Sequence, residues 1–411
     1  MELLLTMSPK EREKLKLMHD LEQAKISRPV VAERLGLSVR QVYRLYAKYR
    51  KDGDEGVIHG LRGTHSNRAY PLKIRDAALE FFVKHYSDYG PTLLSEILES
   101  EHEISVAPET LRRWLLRKKL WTLHRKARRH RKWRERREAI GSLIQFDGSE
   151  HDWFENRAPR CTLLVAIDDA SGRVKLRFAE SESAQAVLSF WIDYVQRNGI
   201  PKETYTDFGS VYYNSNNPEN LTDFALAMET LGVKLNYAHS PQAKGRVERS
   251  NRTFQDRLLK ALRRENISSI AVANDYLDRV FINEHNNRFA HLDQLEDVHR
   301  PCAYSQGELR NIFCFTSTRS VYNDATITLD AQWIQLEQSK APLPPPRSKV
   351  TLRTWLDGSL HIFWQKDELA FTILKKKPHH KPKPPMRGFQ EHPWRAKAKL
   401  FGSARVCAKM R

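Results

Sequence analysis

Three carboxylates stand in settings that could bring them to one point. Asp147 follows the run Leu143-Ile144-Gln145-Phe146 and precedes Gly148-Ser149. Asp207 follows Glu203-Thr204-Tyr205-Thr206 and precedes Phe208-Gly209-Ser210. Each run reads as a short strand that ends at its acid, and the nearby glycine suits a tight exit. Glu248 lies in a long helical pattern containing Gly245-Arg246-Val247-Glu248-Arg249-Ser250-Asn251. Ligands of α/β sheets gather at the carboxyl ends of strands, so two strand-end aspartates and one helix glutamate can converge. Such oxygen donors suit Mg²⁺, which keeps waters and substrate phosphate oxygens in its shell, and Mn²⁺ could take the same ligands. Two ions about 3.5–4 Å apart, sharing Asp147, would activate an attacking oxygen and stabilise a leaving one. The chemistry would be phosphodiester cleavage or transfer, with water or a DNA 3′-hydroxyl attacking. Taken singly, each acid is more often a turn cap or a helix surface residue; the combination is what is specific.

The surroundings of the acids carry positive charge. Lys244 and Arg252 flank Glu248 at i−4 and i+4, with Arg246 and Arg249 beside it. DNA running past a metal site would use these cations; an i,i+4 salt-bridge ladder would use the same spacing. Asp168-Asp169 and Asp152 are the competing acids. The first pair precedes Ala170-Ser171-Gly172 and reads as turn-forming, and Asp152 follows Asp147 too closely to lie on another strand.

The elements that must position these acids form an alternating pattern from residue 140 onward. Strands are predicted at 143–147, 161–168, 174–179, 203–206 and 234–237, and helices at 184–197, 221–231 and 242–264. A helical connector over 270–289 follows, then short strands around 320–328 and 350–364. Asp357-Gly358 between apolar runs marks a hairpin, and a small β-barrel is expected there.

Upstream, the chain reads as two helical units. Residues 10–24, 29–35 and 38–50 predict three helices, with Ser38 and Gln41 forming a capping box. Val42, Leu45, Tyr46 and Tyr49 face inward, leaving Arg40, Gln41, Arg44 and Lys48 outside. This is the pattern of a helix-turn-helix whose second helix enters a major groove; a three-helix packing unit is the plainer alternative, and the long basic and amide side chains left outside, able to reach base edges, favour DNA binding. The Gly/Arg/His stretch at 58–68 is a tether, or places Arg62 in a minor groove. Residues 73–120 repeat the theme, and the helix after Pro108 buries Leu111, Trp114 and Leu115 while exposing Arg112, Arg113 and Arg117.

Charge supports this reading. The 411 residues carry 69 Lys and Arg against 50 Asp and Glu, a net charge of +19, which draws polyanions. Residues 124–138 hold nine Lys or Arg, among them Arg128 and Arg129, against two Glu. Such a block tracks phosphates or forms a solvated helix face. The tail at 375–411 holds twelve Lys or Arg, one Glu and five prolines, a composition expected to be disordered in isolation. The four cysteines, Cys161, Cys302, Cys314 and Cys407, form no C-x-x-C pair and no disulfide framework, which fits a reducing cytoplasm. No stretch reads as a membrane span or a secretory signal.

The order strand-Asp, strand-Asp, helix-Glu, with Asp207 and Glu248 41 positions apart, resembles the DDE transposase and retroviral integrase superfamily. Gln145-Phe146-Asp147-Gly148-Ser149, His151-Asp152-Trp153-Phe154, Leu164-Val165-Ala166-Ile167-Asp168-Asp169-Ala170 and the Glu248 motif resemble the ISNCY group of bacterial insertion-sequence transposases. That resemblance implies a multi-domain α+β chain with N-terminal helix-turn-helix units, an RNase H-like α/β catalytic core and a small C-terminal β-barrel. It implies Asp147, Asp207 and Glu248 as metal ligands and catalytic residues. It further implies double-stranded DNA partners (terminal inverted repeats and target), a homo-oligomer assembled on DNA, and work at the nucleoid. The expected divisions are 8–56 and 73–121 for the two helix-turn-helix units, 57–72 and 122–139 for basic connecting segments, 140–266 for the core, 267–315 for a helical connector, 316–374 for the barrel and 375–411 for the tail. A DNA-binding regulator that keeps the fold without the chemistry, or an RNase H-type nuclease, would share much of this pattern.

Overall fold

A computed structural model describes residues 6–62, 69–122, 135–238, 245–291, 295–338 and 342–374. Arg128, Arg129, Lys244, the tail and most of the basic block at 124–138 lie outside the described residues. The chain divides into two compact units, Met1–Arg128 and Arg129–Arg411.

The first unit holds two helical cores. Helices α1 (Pro9–Glu22), α2 (Arg28–Leu35) and α3 (Val39–Asp52) bury Leu17, Met18, Val31, Ala32, Val42 and Tyr49. Leu45 and Tyr46 pack against this core from its edge. The capping box expected at the start of α3 is present: Ser38 N donates to Gln41 Oε1 at 2.9 Å, and Gln41 N donates to Ser38 Oγ. Gly36, with φ of 63°, makes the left-handed turn between α2 and α3, where a side chain would be strained. Helices α4 (Leu72–His85), α5 (Pro91–His102) and α6 (Pro108–Arg117) bury Leu79, Phe82, Leu94, Leu98, Leu111 and Leu115. Ala107 caps α6 without a side-chain hydrogen bond, and Pro108 at the first helical position presets the backbone instead.

The second unit begins with a five-stranded sheet made of β1 (Leu143–His151), β2 (Cys161–Asp168), β3 (Val174–Ala179), β4 (Glu203–Thr206) and β5 (Lys234–Tyr237). Its order is β3-β2-β1-β4-β5; the first three strands run antiparallel, and β4 and β5 lie parallel to β1 and to each other. This is the RNase H-like arrangement. Alternation along the strands feeds two cores. Ile144, Phe146, Leu164 and Ala166 meet α7 (Ala184–Asn198) and α8 (Asp223–Thr230) on one face. Leu163, Val165, Ile167 and Leu176 meet α9 (Gly245–Arg264), α10 (Ile270–Tyr276) and α11 (Ile282–Phe289) on the other. Strand β2 is covered on both sides, which is why all of it is buried and its run over 163–167 is continuously apolar.

One boundary differs from expectation. Strand β1 runs on to His151, so Asp147 lies within it and not at its end. The reason is pairing: β2 keeps β1 extended as far as His151↔Cys161, while parallel pairing with β4 stops at Gln145↔Tyr205.

After α12 (Gln306–Ile312) comes a six-stranded sheet of β6 (Phe315–Ser320), β7 (Thr326–Leu329), β8 (Gln332–Glu337), β9 (Lys349–Thr354), β10 (Leu360–Trp364) and β11 (Asp367–Leu374). Its order β6-β9-β10-β11-β8-β7 brings the first two strands to opposite edges of a nearly closed barrel around Val350, Leu352, Ile334 and Ile362. The Asp357-Gly358 hairpin joins β9 to β10, with Asp357 Oδ1 accepting from Ser359 N at 2.9 Å.

Candidate active site

Parallel pairing of β1 with β4 runs Leu143↔Glu203, Ile144↔Thr204, Gln145↔Tyr205 and stops there; Asp147 and Asp207 each follow two residues beyond the last pair. Phe146 enters the core under α7, so Asp147 points to the opposite face, where α9 packs. Helix α9 reaches it: Asn251 Nδ2 donates to Asp147 Oδ2 at 3.1 Å. Glu248 lies three residues earlier on that helix, one turn away on the adjoining face. Asp207 is held at its exit by its own Oδ1, which accepts from Gly209 N at 2.8 Å.

The third acid is directed elsewhere. Glu248 Oε1 pairs with Arg252 NH2 at 2.6 Å, the i,i+4 contact that the spacing allowed. Among the described residues, no three His, Cys, Asp or Glu side chains are gathered closely enough to hold a metal ion. The structure therefore places Asp147 and Asp207 both near the Tyr212 hydroxyl and puts the helix of Glu248 against Asp147, with the glutamate's own carboxylate on Arg252. The donor set still fits a hard divalent cation: Asp147 and Asp207 offer carboxylate oxygens, and the buried Asn251 Oδ1 beside Asp147 makes no hydrogen bond.

Sequence reasoning missed three residues of this cluster, Glu182, Tyr212 and Asn251. Glu182, in the short connection between β3 and α7, lies directly over Gly148, where an added Cβ would overlap its carboxylate. The buried Tyr212 hydroxyl donates to Glu182. Burial raises the Tyr212 phenol well above its ordinary range, and the Glu182 charge, then those of Asp207 and Asp147, push the same way. Three acids from three segments thus act on the Tyr212 hydroxyl, and no local motif signals it. Asn251 carried a weak signal, three positions after Glu248 on a helix.

Asp168 behaves as the turn residue expected, with Oδ1 accepting from Ser171 N and Oγ at 2.7 Å. Asp169 does more. Only 1% exposed, it accepts from Gln145 Nε2 at 2.6 Å and Arg137 N at 3.1 Å, and pairs with Arg246 Nε at 2.9 Å. Arg246 thereby ties the first turn of α9 to the sheet.

The remaining basic residues fall into two sets. Arg40, Gln41, Arg44, Lys48, Arg117 and Arg249 are exposed, although the Gln41 side-chain oxygen serves the α3 cap. Arg62 pairs with Glu11 at 3.0 Å, and both Arg112 and Arg113 pair with Glu109. Among the described residues no helix is long and apolar enough to cross a membrane.

Comparison with known proteins gives three results. A homeodomain-like domain family matches residues 8–58. A protein named as a transposase, y4bF of Sinorhizobium fredii, is 35% identical over 379 residues, covering 91% of this chain and 83% of its own. The transposase for insertion sequence IS1202 of Streptococcus pneumoniae is 28% identical over 440 residues, covering 94% and 93%. Among solved structures, the HTLV-2 integrase catalytic core domain in complex with magnesium is 18% identical, covers 35% of this chain and 90% of its own, and superposes with a TM-score of 0.28.

Proposed function

This chain belongs to the DDE transposase and integrase superfamily, and from that premise we propose that it cuts DNA at the ends of a transposable element and joins the freed 3′-hydroxyls to target DNA. The observation that supports the reading is the parallel pairing of β1 with β4 up to Gln145↔Tyr205, two residues before Asp147 and Asp207, with α9 against Asp147. Asp147, Asp207 and Glu248 would hold two Mg²⁺ ions. Bound there, the ions supply Lewis-acid stabilisation of the attacking and leaving oxygens in an in-line displacement.

The chain's own residues prepare that site. Asn251 fixes the orientation of the Asp147 carboxylate through Oδ2, and the Gly209 amide fixes that of Asp207. Glu248 must turn from Arg252 toward the aspartates, which costs little because an exposed i,i+4 pair contributes only about 0.3–0.5 kcal/mol. Arg252, released, then presents its cation to a DNA phosphate. The exposed Arg40, Arg44 and Lys48 on α3 and Arg117 on α6 read or grip the terminal inverted repeats, and Arg249 meets DNA near the cut. Two ends handled together call for a homo-oligomer assembled on DNA, working at the nucleoid.

The test is Asp207→Asn, assayed for end cleavage in Mg²⁺ with DNA binding measured in parallel. Loss of a ligand that supplies several kcal/mol of charge stabilisation should slow cleavage about 10³-fold or more, with binding within about threefold of wild type. Unchanged cleavage removes Asp207 from the site. A strand-transfer assay on the wild-type protein separates the alternatives: cleavage without joining marks a nuclease, and neither activity marks a DNA-binding regulator.

A further inference from the structure

An aromatic group stands next to the acids and takes no part in the chemistry above. Phe208 follows Asp207 directly, yet the residue is 36% exposed. It stacks on Tyr237, with centroids 5.4 Å apart and planes inclined at 28°, and meets Tyr213 edge-on at 5.1 Å. Tyr213 and Tyr237 meet each other at 5.1 Å, so the three rings form one cluster. Its base is firm: Tyr237 ends β5 in register with Thr206, and its hydroxyl donates to the Tyr212 carbonyl at 3.2 Å. Tyr212 in turn is buried in the core and bonded to Glu182. The cluster thus sits at the carboxyl edge of β4 and β5, one residue from a candidate metal ligand.

An aromatic ring kept partly in water forgoes part of the stabilisation that full burial would give. A surface ring is unremarkable by itself. This one is braced by two other rings and adjoins carboxylates suited to processing a phosphodiester, so what comes within reach of its face is the nucleotide next to the reacting phosphate. A base inside a duplex has both faces covered by its neighbours. Only an unpaired, unstacked base offers a face to Phe208, and every base has one, so the contact is indifferent to sequence.

We propose that Phe208, supported by Tyr213 and Tyr237, is a stacking platform for one unpaired nucleobase of the DNA strand undergoing reaction. The inference rests on the transposase reading. The base has two possible sources, the nucleotide flanking the cleaved phosphate at the element end and a target nucleotide at the joining step.

The experiment uses the full chain with Phe208→Ala, and Phe208→Tyr as the conservative variant that keeps a ring. Circular dichroism melts confirm that each variant folds. Duplex oligonucleotides carrying the element end and its flank are compared with the same duplexes holding an abasic site at the flanking position, and joining is measured on target duplexes with and without an abasic site. Phe208→Ala should lose about tenfold in rate on intact DNA, Phe208→Tyr less than about threefold, and the Ala defect should vanish when the abasic site removes the base. Disappearance in the cleavage arm assigns the base to the element end; disappearance in the joining arm assigns it to the target. An equal defect on intact and abasic DNA in both arms, or no defect, overturns the platform.

A second readout does not need catalysis. With 2-aminopurine at the flanking position, or at the target position, of a duplex bound in Ca²⁺, the Phe208→Ala complex should fluoresce more brightly than wild type and Phe208→Tyr should not. Equal fluorescence from wild type and Phe208→Ala at both positions also overturns the proposal. Wild-type cleavage of the intact duplex tests the transposase reading separately, so the two ideas fail by different results.

Discussion

Replacing Arg246 with glutamine separates a structural arginine from a DNA-binding one. Its guanidinium pairs with Asp169 at 2.9 Å, and the side chains are 21% and 1% exposed respectively. Removing one member of a buried ion pair costs about 3–5 kcal/mol, because the other charge stays desolvated. Here Asp169 keeps its bonds from Gln145 and the Arg137 amide, and water reaches part of Arg246. Those two facts bring the expected cost to about 2 kcal/mol. Urea unfolding followed by the fluorescence of the buried Trp153 and Trp191 measures it. Asp169→Asn and the double variant complete a cycle, with an expected coupling of about 1–2 kcal/mol. DNA affinity provides the opposing readout. Loss of one phosphate contact lowers the slope of log K against log salt by about 0.9, whereas Arg246→Gln should leave the slope unchanged. A coupling under about 0.5 kcal/mol together with a reduced slope would refute the reasoning and return Arg246 to the DNA.

Two further predictions concern stability. His285, packed among Phe254, Phe281 and Phe289, is lowered to about 4 by burial and then by the nearby Arg257 charge. The unfolded chain therefore binds this proton first. The contribution is fully present above about pH 6.5 and is lost as pH falls toward 4, to a maximum of about 3 kcal/mol, and His285→Leu should flatten that part of a stability-versus-pH profile measured in urea. Gly148→Ala should drive Glu182 off its seat and leave the buried Tyr212 hydroxyl without its acceptor, at about 1–3 kcal/mol. Adding Tyr212→Phe in that background should cost almost nothing further, and a full additional loss would show that the hydroxyl had kept its partner.

The local pattern of the chain determined most of its elements. Alternating and continuous apolar runs mark the strands at 161–168, 174–179, 203–206 and 234–237, because burial on one face or two leaves a period that can be read directly. The Ser38–Gln41 cap and the Asp357-Gly358 hairpin were legible for the same reason: their partners lie within three or four residues. The resemblance to DDE enzymes singled out Asp147, Asp207 and Glu248 before any coordinates. Tertiary structure decided everything that depends on who packs against whom. It extended β1 past Asp147 because β2 continues to pair there. It seated Arg246 on Asp169 and Arg252 on Glu248, where sequence shows only a run of cations. It also brought Glu182, Tyr212 and Asn251 to the aspartates. Those contacts join residues about 30 to 100 positions apart, and no periodicity within one element encodes a neighbour on another.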